Sequence, residues 1–411
     1  MDSRFVVLAL PFFALGILIE LLVTRKRAES PYRLHDSLGS LSCGISQQAL
    51  LGFVSSFGLL AYAWTQTHVA PWTVPIRSPW AWVVLLFLDD FCYYLYHRAS
   101  HRVDFLRASH AVHHQSEEYN LSTALRQSAL TGLSSFVFYL PLALLGFPLV
   151  MWLTIHTFNT LYQFWIHTRA VGKLGWVEWI LNTPSHHRVH HGTNPRYIDK
   201  NHAGIFIIWD RLLGTFVEEQ DEPVYGVVKP LASFDPIWAN LAIWAHLWDM
   251  AKSTRRLRDK ALVWIMPPEW RPADLGGIHV VPEVSRSTQR RYDRRPPRPI
   301  DVYAVGVFVT ALAGGIVFLQ VQHGATPALR IYAAIELLAA LWVCAALVEQ
   351  RRSVWSVDGL RLLSLIPLLS LLPQPMHVGG YVALALHGVF WLWTQLRTVR
   401  VPVALANAAT P

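Results

Sequence analysis

His97 to His114 reads HRASHRVDFLRASHAVHH, five histidines in eighteen residues. Its closing pattern, HAVHH at His110–His114, returns as HRVHH at His187–His191. On a helix, residues three and four apart are neighbours on one face. His97 and His101 are spaced i, i+4, while His110, His113 and His114 are spaced i, i+3, i+4, as are His187, His190 and His191. Each cluster is therefore expected to aim its imidazoles at one spot. Eight imidazoles suit two metal ions with open positions, and all-imidazole ligation fits Fe, Zn, Cu or Ni. Structural zinc sites are closed, four-coordinate and usually contain Cys. Here Cys43, Cys92 and Cys344 lie far apart in separate apolar blocks, with no thiolate or disulfide pattern. An open site beside a membrane favours oxygen chemistry on a lipid, and hence iron.

The sequence around these clusters is apolar. Of 411 residues, 53% are hydrophobic and 15% charged, against about 25% charged in soluble domains. The apolar residues come in blocks of about 17 to 20, the length a helix needs to cross a bilayer core of about 30 Å. The reading is an all-α, polytopic membrane protein with about nine transmembrane helices. The first block, about Phe5–Val23, has neither the basic n-region nor the cleavage site of a signal peptide. Arg25, Lys26, Arg27 and Arg33 follow it and place that side in the cytoplasm. Further spans are expected at about Leu41–Trp64, Trp80–Tyr96, Ala129–Leu145 and Pro148–Ile166, the last two joined at Gly146-Phe147 as a tight hairpin. Four more follow at about Val302–Leu319, Ile331–Val348, Leu360–Leu372 and Val382–Thr394. The histidine clusters then fall together on the cytoplasmic face. Four regions result: N-terminal spans (1–79), the histidine-box domain (80–220), a cytoplasmic interfacial segment and linker (221–300), and a C-terminal four-helix region (301–411). Gly204–Val217 and Trp238–Trp248 are expected to lie in the headgroup layer or on the protein's own core. The net charge of +8 sits in the loops and points to the anionic leaflet, with no nucleic-acid partner implied.

The fifth span carries a polar stripe, His156, Thr160, Gln163 and His167 at i, i+4, i+7 and i+11, with Asn159 beside it. Such a stripe is costly in a membrane unless it faces a cavity or the protein interior. His167, at its cytoplasmic end, is the ninth expected ligand, and Asn159 and Gln163 are candidates to support the site from behind. Asp90, two helical turns before His97, is placed to accept the free N–H of a ligand histidine. Glu117, Glu118 and Asn120 follow the second cluster, and Asp199 the third; His186 lies off its cluster's spacing. Each is a candidate for the same supporting role, with a solvated loop as the alternative. The histidines at 35, 68, 246, 279, 323, 377 and 387 have no partners in spacing and are not expected to bind metal.

The boxes HxxxH, HxxHH and HxxHH between hydrophobic hairpins resemble the fatty acid hydroxylase/sterol desaturase superfamily of membrane di-iron oxygenases. Over Asp89–Glu218 the likeness narrows: Ser116–Ser128 (SEEYNLSTALRQS), Leu161–Thr168 (LYQFWIHT) and Leu181–Phe216 are similar to the alkylglycerol monooxygenase family. The resemblance implies two irons held by His97, His101, His110, His113, His114, His167, His187, His190 and His191. It also implies hydroxylation by O2 of the ether carbon of an alkylglycerol, giving a fatty aldehyde and a glycerol derivative. The implied reductant is a pterin, tetrahydrobiopterin. Arg102 and Arg107 stand where the family carries an acidic residue and a Trp, a difference that bears on the pterin rather than on the irons. Two competing readings go with the same motifs. One is a sterol, fatty acid or carotenoid hydroxylase or desaturase of the superfamily, fed by a ferredoxin or cytochrome. The other is a metal transporter, whose ligands should line a mid-bilayer path. The expected setting is a bacterial inner membrane, or the endoplasmic reticulum in a eukaryote.

Overall fold

The computed structural model describes residues 3–27, 29–371 and 374–398. Its helices, in order, are α1 (Ser3–Thr24), α2 (Leu34–Val54), α3 (Ser56–His68), α4 (Pro79–Arg102), α5 (Asp104–His114), α6 (Leu121–Ala124), α7 (Gly132–Ser135), α8 (Leu140–Leu144) and α9 (Leu149–Trp165). There follow α10 (Pro184–His190), α11 (Ile208–Leu212), α12 (Pro236–Ser253), α13 (Leu257–Leu262), α14 (Arg298–Val321), α15 (Pro327–Val348), α16 (Val354–Ser370) and α17 (Gln374–Thr398). The extended pairing among the described residues is two isolated antiparallel bridges, Leu181–Phe206 and Gly192–Tyr225. The chain is all-helical.

Three helices are long and apolar enough to cross a bilayer: the Val7–Thr24 stretch of α1, α14 and α15. A fourth crossing results if α2 and α3, bent by 47° at their junction, act as one. On α1 the side chains of Phe12, Leu15, Leu18 and Leu22 point outward, as a lipid-facing helix requires. Its one buried carboxylate, Glu20, accepts from the Tyr32 hydroxyl (2.5 Å), the Leu121 amide (2.8 Å) and the Thr168 hydroxyl. The segment expected as one span over Ala129–Leu145 is instead broken into α7, a 3₁₀ turn at Phe136–Tyr139 and α8. Pro141 in the first turn of α8 has no amide to continue an α-helix through that point. The turn at Gly146 is as expected: its φ of +84° suits glycine, and its carbonyl accepts from the Val74 amide. Gly204–Val217 is not one interfacial helix either, since only Ile208–Leu212 is helical, and Ile205, Ile207 and Asp210 are buried.

The chain divides into two compact units, Met1–Ala232 with Ile237–Tyr292, and Ser233–Pro236 with Asp293–Pro411. In the first, α4 packs against both α5 and α9. Ser78 caps α4 through the Ala81 amide, and Pro79 starts it, as a helix N-terminus favours. The chain turns at extended Val103 into α5, whose first amides donate to the Met266 and Trp264 carbonyls. Tyr62, Leu85, Cys92, Tyr139, Met151 and Trp152 form the core between α3, α4 and α9, with Tyr62 stacked on Trp152 at 4.3 Å. The second unit joins α14–α17 around a buried network in which Tyr303 and Arg361 both bond Asp358.

The device that sets α10 relative to α4 is Asp90. Fully buried, it accepts from the amides of Ile205 (2.6 Å) and Phe206 (3.0 Å), from Trp209 Nε1 (2.9 Å) and from Asn159 (3.1 Å). The Ile205–Ile207 strip pairs in turn with Ile180–Asn182, the lead into α10. Gly204 passes so close that a Cβ there would lie 2.6 Å from Asp90 and 2.7 Å from Asn159.

Candidate metal centre

The nine histidines converge in two groups. His97, His101, His110, His114 and His190 form the first; His113, His167, His187 and His191 form the second. Within each group the facing ring nitrogens all lie within 4.8 Å of one another. The grouping differs from the expectation that each cluster serves one spot. The i, i+4 pairs stay together, whereas the i+3 member of each HxxHH crosses over. Thus α5 gives His110 and His114 to the first group and His113 to the second, and α10 gives His187 and His191 to the second and His190 to the first. The reason is helical phase: adjacent residues are 100° apart, so each helix lies between the two groups and presents a histidine edge to each.

Burial and hydrogen bonds fix what these rings offer. Burial, followed by the neighbouring imidazoles, holds His97, His110, His114, His187, His190 and His191 well below the ordinary histidine range. His167 is held down in the same way, and burial brings His113 down to about 4. The rings are neutral. Nδ1 of His97, His113, His167 and His190 lies 2.7–2.9 Å from the carbonyls of His202, Arg126, Gln163 and Lys200. A carbonyl only accepts, so Nδ1 carries the proton and Nε2 is left as a lone pair. Yet Nε2 of His113 and Nε2 of His167 face each other at 3.0 Å, while His187 and His110, whose Nδ1 meets no carbonyl, bring Nε2 as close to His167 and His97. Two opposed lone pairs in a buried site repel unless a cation lies between them. His101 Nε2, His190 Nε2 and His191 Nε2 are likewise buried without a partner. The donor set therefore fits two metal ions, one per group.

The expected supporting residues are spread more widely. Asp199, at φ +56°, places Oδ1 3.6 Å from His101 Nδ1 and pairs with Arg102 at 2.7 Å. Burial would raise its pKa, but His101 and Arg102 outweigh this and hold it at about 2. Gln163 supports His167 through its backbone carbonyl, while its side chain joins Tyr93 to Asn159. Asp90 meets no histidine: its bonds go to backbone, Trp209 and Asn159. Glu117 and Glu118 also turn away from the cage. Arg33 bonds both, Arg291 bonds Glu118 at 2.8 Å, and the Tyr292 amide bonds Glu117 at 2.7 Å. Asn120 caps α6 through the Ser122 amide, and His186 lies 3.9 Å from Glu178. The two arginines that depart from the family pattern have local partners. Arg102 pairs with Asp199 and with Glu269 at 3.0 Å, and Arg107 with Asp104 at 2.6 Å.

Beyond Asp199, a candidate from the sequence, much of the support comes from backbone groups. One short segment, Asp199–His202, orients three imidazoles of the first group, through the Asp199 carboxylate and the Lys200 and His202 carbonyls. It is held by Asp210, whose carboxylate accepts the His202 and Ala203 amides at 2.8 Å. The His202 ring is buried beside this group, 5.0 Å from His101 and 5.6 Å from His97 and His190, with neither ring nitrogen bonded. The second group is flanked by Tyr119, whose ring lies 5.2 Å from His191 and 5.6 Å from His167. Backbone carbonyls leave no trace in residue type, which hides such partners from a sequence reading.

Comparison with known proteins agrees with this geometry. Residues 82–215, which contain all nine histidines, match the family model described as Fatty acid hydroxylase. The chain is 40% identical over 309 residues to alkylglycerol monooxygenase of Homo sapiens, covering 74% of this chain and 69% of that protein. To alkylglycerol monooxygenase of Xenopus tropicalis it is 36% identical over 319 residues, 77% of this chain and 71% of that one. It is 31% identical over 145 residues to the ornithine lipid hydroxylase OlsE of Rhizobium tropici, 34% of this chain and 44% of that one. No solved structure shows significant similarity to it.

Proposed function

This chain belongs to the alkylglycerol monooxygenase family of fatty acid hydroxylases, and we propose that it binds two iron ions and hydroxylates the ether carbon of alkylglycerols with O2. The hemiacetal so formed collapses to a fatty aldehyde and a glycerol derivative. The enzyme is an oxidoreductase, a lipid monooxygenase set among membrane helices. The observation that carries the proposal is the opposed Nε2 lone pairs of His113 and His167 at 3.0 Å. All-imidazole ligation of this kind fits iron.

Iron held there supplies the oxidising power to open an unactivated C–H bond, which no side chain could attack. The chain's own residues hold the site in shape. The carbonyls of Arg126, Gln163, Lys200 and His202 keep the ring protons on Nδ1, and Asp199 orients His101. Burial keeps the other eight imidazoles neutral. The Lys and Arg distribution supports a centre on the cytoplasmic side, where a lipid can enter laterally from the bilayer. The test is O2 consumption by the purified enzyme with an alkylglycerol, scored by release of fatty aldehyde. Turnover of a sterol or free fatty acid in place of the ether lipid would overturn the substrate assignment.

A further inference from the structure

One face of α12 packs on the protein's core and a second, also apolar, stays open. On the packed face Leu247 and Ala251 are buried with Ala108 and Val263, and Ile243 and Trp244 lie against them. On the open face Leu241, Ala245, Trp248 and Lys252 follow at i, i+4, i+7 and i+11, one stripe of a helix. Leu241 is 47% exposed and Trp248 55%. The helix then ends at a cationic corner. Residues 252–260, running from α12 into α13, carry five cationic side chains against one acidic, the buried Asp259. Arg255, Arg256 and Arg258 are exposed, and among the described residues none of their guanidinium groups has an ion pair. The Asp274 carboxylate is taken up by the Thr254 hydroxyl and the Arg255 amide, both at 2.9 Å. Leu257, set between these arginines, is 84% exposed. Lys252 Nζ lies over the Trp248 ring at 5.2 Å, and Lys260 closes the corner by donating to the Ala251 and Lys252 carbonyls at 3.0 and 3.3 Å.

Water suits the arginines of this corner but neither the bare leucine among them nor the tryptophan beside them. An anionic bilayer surface suits all of these groups. Guanidinium forks match phosphate oxygens, indole rings settle at headgroup level, and aliphatic side chains enter the acyl boundary. The same corner grips α5. At the start of α5 the Asp104 and Phe105 amides donate to the Met266 and Trp264 carbonyls, and the Phe105 ring meets Trp244 edge-on at 5.1 Å. In its middle Ala108 is part of the core shared with Leu247 and Val263. Just past its end the Gln115 side chain donates to the Ala239 carbonyl of α12 at 3.0 Å. Between these holds α5 carries His110, His113 and His114.

We propose that the α12–α13 corner is a docking site for anionic phospholipid, and that lipid bound there steadies α5 and its three histidines. Arg255, Arg256 and Arg258 take the phosphates, while Trp248 and Leu257 enter the boundary between headgroups and chains. The positive charge on the corner selects an anionic lipid over a zwitterionic one. A bound lipid fixes the end of α12 and the start of α13, and the contacts to Asp104, Phe105 and Gln115 pass that restraint to α5. The docking rests on no part of the monooxygenase reading, so either can fail without the other.

The test places an environment-sensitive fluorophore on full-length protein at Leu257→Cys, the three native cysteines being buried. The protein, in non-ionic detergent, is titrated with phosphatidylglycerol or with phosphatidylcholine of the same chains. Phosphatidylglycerol should give a saturable blue shift that weakens as salt is raised, and phosphatidylcholine little or none. Arg255→Gln, Arg256→Gln and Arg258→Gln should each raise the half-saturating concentration about fivefold, and the three together about 100-fold. Hydrogen exchange of the amides of residues 105–114, followed by mass spectrometry, reads the coupling whether or not iron is bound. Phosphatidylglycerol should slow that exchange severalfold in protein with native arginines and leave it unchanged in the triple variant. Equal responses to the two lipids, or a triple variant that responds like its parent, would overturn the site. So would an equal blue shift with dextran sulfate, which offers charge without chains. A blue shift that grows with protein concentration in the absence of lipid would make a second copy of the chain the occupant and overturn the lipid. Docking with no change in exchange over α5 would overturn the coupling.

Discussion

Removing the Asp90 carboxylate should loosen the histidine cage from outside it. Asp90 lies on α4 two turns before His97 and receives four hydrogen bonds: Ile205 and Asn159 on one oxygen, Phe206 and Trp209 on the other. All of these groups are in the protein interior, and stranding a buried donor costs about 1–3 kcal/mol. Asp90→Asn keeps one acceptor oxygen and turns an NH2 group toward two donors, so it should cost about 3 kcal/mol. Asp90→Ala strands all four donors and should cost about 4 kcal/mol or more. At roughly 2–4 °C per kcal/mol for a unit of this size, the Asn variant should melt about 6–12 °C lower. The assay is thermal unfolding of the metal-loaded protein in detergent by intrinsic tryptophan fluorescence, with iron content measured on the same samples. The strip that Asp90 holds runs on to His202 and Lys200, whose carbonyls orient His97 and His190. Iron bound by the first group should therefore fall with stability. Unchanged melting and unchanged iron in both variants would refute the clamp.

Two further outcomes follow from the same geometry. Eight of the ligand histidines, all but His101, are held below their unfolded value near 6.5, His113 at about 4, so the unfolded chain binds more protons than the folded one between these limits. Stability is then greatest above pH 7 and is lost as pH falls from 7 toward 4; a melting temperature that is level from pH 7.5 to 5 would contradict this. Gly44→Ala puts a Cβ 2.3 Å from the Leu125 carbonyl, a backbone atom that cannot swing away, so α2 must shift from the α6 region. A loss of roughly 1–3 kcal/mol is expected in the same melting assay, with Ala49→Gly as a helix-propensity control on α2.

The helical class and the nine clustered histidines were legible because both depend on residue type and spacing. Long apolar runs have few stable alternatives to helix, and HxxHH has little use outside a metal site. The distribution of ligands was not legible. Spacing alone made His110, His113 and His114 one set, and only the position of α5 between the two groups shows that His113 belongs apart. Asp90 was read as a partner of a histidine because helical phase puts it on the right face. Tertiary folding brings the Ile205–Trp209 strip to it first, and four donors satisfy it. Glu117 and Glu118 were drawn into the site by their nearness in sequence, whereas Arg33 and Arg291, remote along the chain, supply their counter-charges. The break over Ala129–Leu145 was signalled by Pro141, which hydropathy averaging passes over.

The central claim is that nine imidazoles hold two irons, with each HxxHH helix serving both. The most direct measurement is iron content and iron-edge X-ray absorption of anaerobically purified protein, made for the parent and for His113→Ala and His190→Ala. The parent should hold about two irons per chain in a shell of nitrogen and oxygen ligands at about 2.1 Å, without sulfur. His113→Ala should weaken the second group and His190→Ala the first, so that each variant retains about one firmly held iron. A single tetrahedral zinc in the parent, or iron content unmoved by either substitution, would contradict the claim.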